Sequence, residues 1–231
     1  MKRAYDFLKV LSKNNNREWF NAHKDKYLEV KSIFDSFTLS LIDEISKFDN
    51  QIDPSKLGLK DCTYRIYRDI RFSHDKTPYK THMGAFIVKK GKKSPYSGYY
   101  FHLEPFEDIY ASGSILAVGL YKPESKIVQS IRDEIYVNGN ALLESVNKAK
   151  GFSWFNPNPY KKVPQGFENV ENPKWAELLK QKEFLLYKSL DTNYLFKDDK
   201  LLNRVVADFK KCCDFQQILN NCVDYALEGN I

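Results

Sequence analysis

Met83-Gly-Ala-Phe-Ile-Val-Lys-Lys90-Gly-Lys-Lys-Ser-Pro95-Tyr-Ser-Gly-Tyr-Tyr100-Phe-His-Leu-Glu104 reads as two strands and the turn between them. Phe86-Ile87-Val88 and Tyr99-Tyr100-Phe101 carry the β-branched and aromatic side chains that suit a pleated, half-buried surface. Lys90-Gly91 and Ser94-Pro95 are turn chemistry. So short a link demands antiparallel neighbours, because a parallel crossover needs about a dozen residues or more. Two further runs extend the pattern. Thr63–Asp69 is rich in Tyr, Arg and Ile, and Ile109–Ala117, reached through Pro105–Asp108, holds Tyr110 and Ile115-Leu116. The expectation is an antiparallel β-meander of about four or more strands over residues 63–117.

Helical periodicity lies on both sides of this meander. Tyr5, Phe7, Leu8 and Leu11 mark a short first helix that Asn14-Asn15-Asn16 stops, and one of these asparagines can cap the next. From about Arg17 to Phe48 the stripe Phe20, His23, Tyr27, Val30, Phe34, Phe37, Leu41, Ile45 keeps a period near 3.6. His23 on that stripe reads as a satisfied, partly buried side chain. Pro123 and Pro173 each open a further helix, and a last one is expected from about Lys200 to Leu227. Helices, a strand meander, then helices imply an α+β fold, with one antiparallel sheet packed by N-terminal and C-terminal helices.

The 231 residues, 42% hydrophobic and 15% aromatic, suffice for one real core, and a single domain over 1–231 is expected. No segment approaches the roughly 20 apolar residues that span a bilayer, so no membrane partner is expected. Met1-Lys2-Arg3 starts basic like a signal peptide, but Asp6 and Lys9 break any apolar run after it. Cys62, Cys212, Cys213 and Cys222 form no CxxC pair or zinc spacing and read as thiols of a reducing compartment. The expected location is cytoplasmic.

Net charge is +6, and all of the excess lies between Lys60 and Lys93, where ten Lys/Arg face three acids. Such a local excess attracts anions. Within it, Arg65, Arg68, Arg71, Lys76 and Lys80 are the candidate binding residues: Arg forks match phosphate or carboxylate oxygens in pairs, and lysines add point charges. On a strand, Arg68 would be the lone charge on the face of Tyr64, Ile66, Ile70 and Phe72, and would need a partner such as Asp69 or Glu104. His102 and Glu104, two apart on one strand face, and His82 on a neighbouring strand are the candidate catalytic residues, for proton transfer. Two histidines and a carboxylate can also ligate a metal, but such pairs arise readily by chance and no metal is assigned. The first reading is therefore an anion-binding protein, with an enzyme acting on a phosphorylated or carboxylated small molecule as one form of it and no cofactor identified. The second is a nucleic-acid-binding module that adds Lys89, Lys90, Lys92 and Lys93 with Tyr96, Tyr99 and Tyr100. The third is a structural role, in which Arg–carboxylate pairs hold helices to the sheet and function lies in a protein partner. Oligomeric state is not readable.

Arg65-Ile-Tyr-Arg-Asp-Ile-Arg-Phe-Ser-His-Asp-Lys-Thr-Pro-Tyr-Lys80 resembles the signature of the domain-of-unknown-function 2461 family of conserved hypothetical proteins. The likeness extends to Asn15-Asn-Arg-Glu-Trp-Phe20, Gly98-Tyr-Tyr-Phe-His-Leu-Glu-Pro105, Gly119-Leu-Tyr-Lys-Pro123 and Lys162-Val-Pro-Gln-Gly-Phe167, nearly the whole chain. The family's pattern runs several glycines before Leu120-Tyr121, where this chain carries Ala117-Val118-Gly119. The resemblance implies a shared fold and supplies no activity.

Overall fold

The strands on either side of Lys90-Gly91 form where the sequence puts them. The structure, a computed structural model, describes residues 1–105 and 113–229. Strand β1 (Met83–Val88) pairs antiparallel with β2 (Gly98–Leu103), placing Phe86 opposite Tyr100 and Gly84 opposite His102. Lys90 and Gly91 both take positive φ, 66° and 83°, which reverses the chain after β1. β3 (Ile115–Leu120) lies antiparallel to β2. Of the expected fourth strand, Ile109–Ala117, β3 begins at Ile115 and runs on to Leu120; residues 106–112 lie outside the described residues. Two strands were not foreseen. β4 (Ser153–Trp154) and β5 (Phe184–Ser189) extend the sheet in the order β1-β2-β3-β5-β4, antiparallel throughout.

The expected strand Thr63–Asp69 does not form. That stretch makes only single bridges, Thr63 to Ala85 and Tyr67 to Tyr79. Residues 66–80 are a long loop closed at its base by Arg68 N–H to the Pro78 carbonyl (2.9 Å) and Lys80 N–H to the Ile66 carbonyl (2.8 Å). Pro78 can accept but has no N–H to return, so the ladder stops there. Asn15 clamps this base from outside, its amide bonding both the carbonyl and the N–H of Tyr79 (2.9 and 3.1 Å). Tyr79 in turn stacks on Phe20, centroids 3.9 Å apart.

Helices α1 (Lys2–Lys13), α2 (Arg17–Ala22), α3 (Lys24–Ser46) and α4 (Leu59–Cys62) precede the sheet. Asn16 is the capping asparagine, accepting from Trp19 N–H at 2.9 Å, an interaction worth about 1 kcal/mol. The helix expected from Arg17 to Phe48 breaks at His23, whose ring stacks on Trp19 while its Nδ1 meets the Trp19 carbonyl at 2.8 Å. After β3 come α5 (Ser125–Lys148), α6 (Pro173–Leu179), α7 (Thr192–Phe196), α8 (Leu201–Lys211) and α9 (Cys213–Leu227). The expected last helix is thus two, parted at Cys212, where the backbone leaves helical geometry (φ −97°, ψ 3°). All four cysteines are free thiols; Cys62, Cys212 and Cys222 are buried. Among the described residues, no helix is long and apolar enough to cross a membrane.

Strand alternation divides the sheet into two faces. Ala85, Ile87, Tyr99, Phe101, Leu103, Leu116, Val118, Phe184 and Leu186 are fully or almost fully buried in one core with the apolar stripes of α3, α8 and α9. A polar seam crosses this core. Asp49 accepts from the Tyr99 hydroxyl (2.9 Å) and the Gln216 amide (3.2 Å), and Asn220 accepts from Ser97 N–H (2.8 Å). The opposite face carries Gly84, Phe86, Gly98, Tyr100, His102, Ile115, Ala117, Gly119, Leu185 and Tyr187 in register, and much of it stays open.

Candidate functional site

Small residues at the centre of the open face and large ones around it make a groove. Gly98, Ala117 and Gly119 lie side by side on β2 and β3, so the floor there is backbone and one methyl group. Phe86, Tyr100, Leu185, Tyr187 and Phe155 form the walls, and the turn Tyr121–Glu124 closes one side. The space within the groove is about 920 Å³, the size of a small-molecule site, with Tyr64, Lys92, Lys93 and Lys122 among its lining residues.

Tyr100 joins this groove to a polar cluster at the end of β2. Its hydroxyl lies 2.8 Å from His102 Nδ1, and His102 Nε2 lies 3.0 Å from Glu104 Oε2. An ionised carboxylate only accepts, so Nε2 carries the proton; in a neutral ring Nδ1 then accepts from the Tyr100 O–H. Thr81 donates to Glu104 Oε1 at 3.2 Å, and His82 Nδ1 stands 3.9 Å from the same oxygen. Glu104 is itself pinned, its N–H donating to Ser114 Oγ and its carbonyl accepting from that hydroxyl. Only 6% of Glu104 and 7% of His102 are exposed, so the pair is desolvated, whereas the His82 side chain keeps 33% of its surface open. Burial, then the His102 ring and the cations Lys80 and Arg68, push His82 down to about 3. It stands as a neutral imidazole at pH 7. Burial also raises the Tyr100 phenol well above its ordinary value.

Of the basic residues read from the sequence, Lys80 and Arg68 act on His82 of this cluster, and Arg65 acts on Lys80. Lys80 Nζ sits 5.5 Å from the Tyr64 ring, and burial followed by the Arg65 charge lowers its pKa. Arg65 is exposed and has no ion-pair partner among the described residues. The partners expected for Arg68 are replaced: its guanidinium bonds Asp75 and Thr77 across the loop, not Asp69 or Glu104. The loop turns back after Ser73, which brings Asp75 under Arg68, while Asp69 points outward and takes Arg71 in a forked pair at 2.7 and 3.0 Å. Lys76 donates to the Ile70 carbonyl. Arg71 and Lys76 are therefore exposed residues of the loop and are not brought to the groove.

The loop has its own test. The Thr77 backbone N–H, then the Arg68 guanidinium and the Thr77 hydroxyl, hold Asp75 at about 2. A depressed carboxylate stabilises above its unfolded value near 3.9 and loses that contribution as pH falls through the folded value. Carbon-detected NMR should find Asp75 ionised at pH 3 and titrating near 2. An ordinary midpoint near 4 would mean that Arg68 is not held this way.

Thr81 and Tyr64 were not among the site residues read from the sequence, and Tyr100 was read there only as a base-stacking residue. Its place beside His102 could have been read, since it alternates with His102 along β2 and must share its face. Of the tyrosines set out for base stacking, Tyr96 and Tyr99 are buried, and Tyr96 and Tyr100 line the groove.

The sequence model of the conserved hypothetical protein family DUF2461 matches residues 3–217, and the chain belongs to that family. No curated protein and no solved structure matches it.

Proposed function

We propose that this member of the DUF2461 family binds a small molecule with a flat apolar body and an anionic group. The body lies in the open-face groove and the anion at the corner made by Tyr64, Lys80 and Lys92. The observation that carries this reading is the position of Tyr64. It lines the groove, packs edge-on to Tyr100 (6.5 Å), and has Lys80 and Lys92 over its ring at 5.5 and 5.8 Å. The groove, the basic segment and the polar cluster meet at this residue. Aromatic walls suit a planar ligand. Two ammonium groups held against a ring, close to a desolvated cluster, suit a phosphate or carboxylate.

Naphthyl phosphate is the probe, titrated by calorimetry beside naphthol and inorganic phosphate. One equivalent of naphthyl phosphate should bind, more tightly than either fragment. Ala117→Phe, which fills the groove between Tyr100 and Tyr187, should weaken it at least ~10-fold with the circular dichroism unchanged. Lys80→Gln with Lys92→Gln should remove the preference for naphthyl phosphate over naphthol, since a charge-assisted contact is worth about 1.5–3 kcal/mol. Failure of naphthyl phosphate to bind, or indifference to Ala117→Phe, would sink the reading. A single-stranded oligonucleotide binding instead, with a steep salt slope, would favour the nucleic-acid reading.

A further inference from the structure

We infer that His82, His102 and Glu104 form a binding site for one divalent first-row transition metal ion of the kind that takes mixed nitrogen and oxygen ligands. One ligand atom from each of the three lies within 4.8 Å of the other two. Ligands at ordinary metal distances of about 2.0–2.2 Å stand roughly 3.3–3.6 Å apart around a tetrahedral ion. The observed separations to the Glu104 carboxylate, 3.0 Å from His102 Nε2 to Oε2 and 3.9 Å from His82 Nδ1 to the other oxygen, Oε1, lie on either side of that range.

The surroundings of the three donors suit a bound metal. Glu104 is almost wholly buried, and among the described residues its carboxylate is bonded by the Thr81 hydroxyl and His102. When His102 Nε2 binds metal, its proton must sit on Nδ1, and that nitrogen already faces the Tyr100 hydroxyl at 2.8 Å. A hydroxyl donates to one tautomer and accepts from the other, so Tyr100 supports the ring in both states. Thr81 and Ser114 orient the carboxylate group and its backbone in the same way. With no sulfur donor in the set, the ligand type selects Zn²⁺, Fe²⁺, Mn²⁺ or Co²⁺ over Cu⁺. Three protein ligands leave coordination positions open, and His82 is the member that reaches solvent.

This inference stands on its donors and not on the groove reading, and its test contains no organic ligand. The full chain, freed of metal by chelator, is titrated with Co²⁺ and, by calorimetry, with Zn²⁺. One equivalent of Co²⁺ should bind and give the intense visible bands of a four- or five-coordinate site, and Zn²⁺ should displace it. His82→Ala, at a partly open position, should cut affinity at least ~100-fold with unchanged circular dichroism. Glu104→Gln should do the same, while His74→Ala, on the exposed loop, should change nothing. Absence of Co²⁺ bands and of Zn²⁺ heat at tenfold excess would overturn the proposal. So would binding that survives both His82→Ala and Glu104→Gln, because the ion would then lie elsewhere.

Discussion

Gly119→Ala is expected to abolish the fold or to leave it barely stable. Gly119 lies in β3 with φ +132°, outside the range that a side chain accepts comfortably. A methyl group there would stand 2.1 Å from the Phe184 carbonyl oxygen and 2.9 Å from Leu185 Cα, both backbone atoms of the paired strand β5. A flexible side chain could swing away from such an intrusion, but a paired strand cannot. Relief means parting β3 from β5, and β5 carries the fully buried Phe184 and Leu186 on one face and the groove residues Leu185 and Tyr187 on the other. The loss should exceed about 4 kcal/mol, at the diagnostic end of single substitutions and a large share of an ordinary 5–15 kcal/mol stability. Thermal unfolding followed by circular dichroism should show a Tm lower by ~10 °C or more, or no soluble protein. A soluble variant with the parental Tm would mean that β3 and β5 do not approach as described.

The same pairing explains what could be read in advance and what could not. β1 and β2 declare themselves because their partners are near in the chain and Lys90-Gly91 marks the turn between them. β5 has the right residues, Phe184-Leu-Leu-Tyr-Lys-Ser189, but its partner lies beyond the whole of α5, and nothing local says strand. The groove was illegible for this reason, since its walls come partly from β5. His102 and Glu104 were legible because two-residue spacing on a strand fixes a common face, and His82 came in from β1's leading edge. The basic segment misled in part. Read as a strand it put Arg68 alone on an apolar face with Asp69 or Glu104 as partner, whereas the loop folds Asp75 back onto Arg68 and leaves Asp69 to Arg71, which spends two of the candidate cations on their own loop.

Gly84→Ala should keep the fold and still damage the metal site, the opposite result from Gly119→Ala. Gly84 stands opposite His102 in the β1–β2 ladder, and the Tyr100 ring lies across it. A Cβ at position 84 would come within 2.7 Å of the Tyr100 hydroxyl oxygen and 3.0 Å of the ring edge. The obstructed atoms belong to the far end of a side chain whose ring borders an open groove, so the ring can swing away at modest cost, and a Tm within a few degrees of the parent is expected. What the swing breaks is the 2.8 Å contact between the Tyr100 hydroxyl and His102 Nδ1. Outer partners of this kind typically carry 10–100-fold in metal affinity. Co²⁺ should therefore bind Gly84→Ala some 10–100-fold more weakly, with altered visible bands. Tyr100→Phe, which removes the hydroxyl and adds no Cβ, should show the same loss. If Gly84→Ala weakens the ion while Tyr100→Phe does not, the glycine acts through the strand rather than through the hydroxyl. If neither does, Tyr100 has no part in orienting His102.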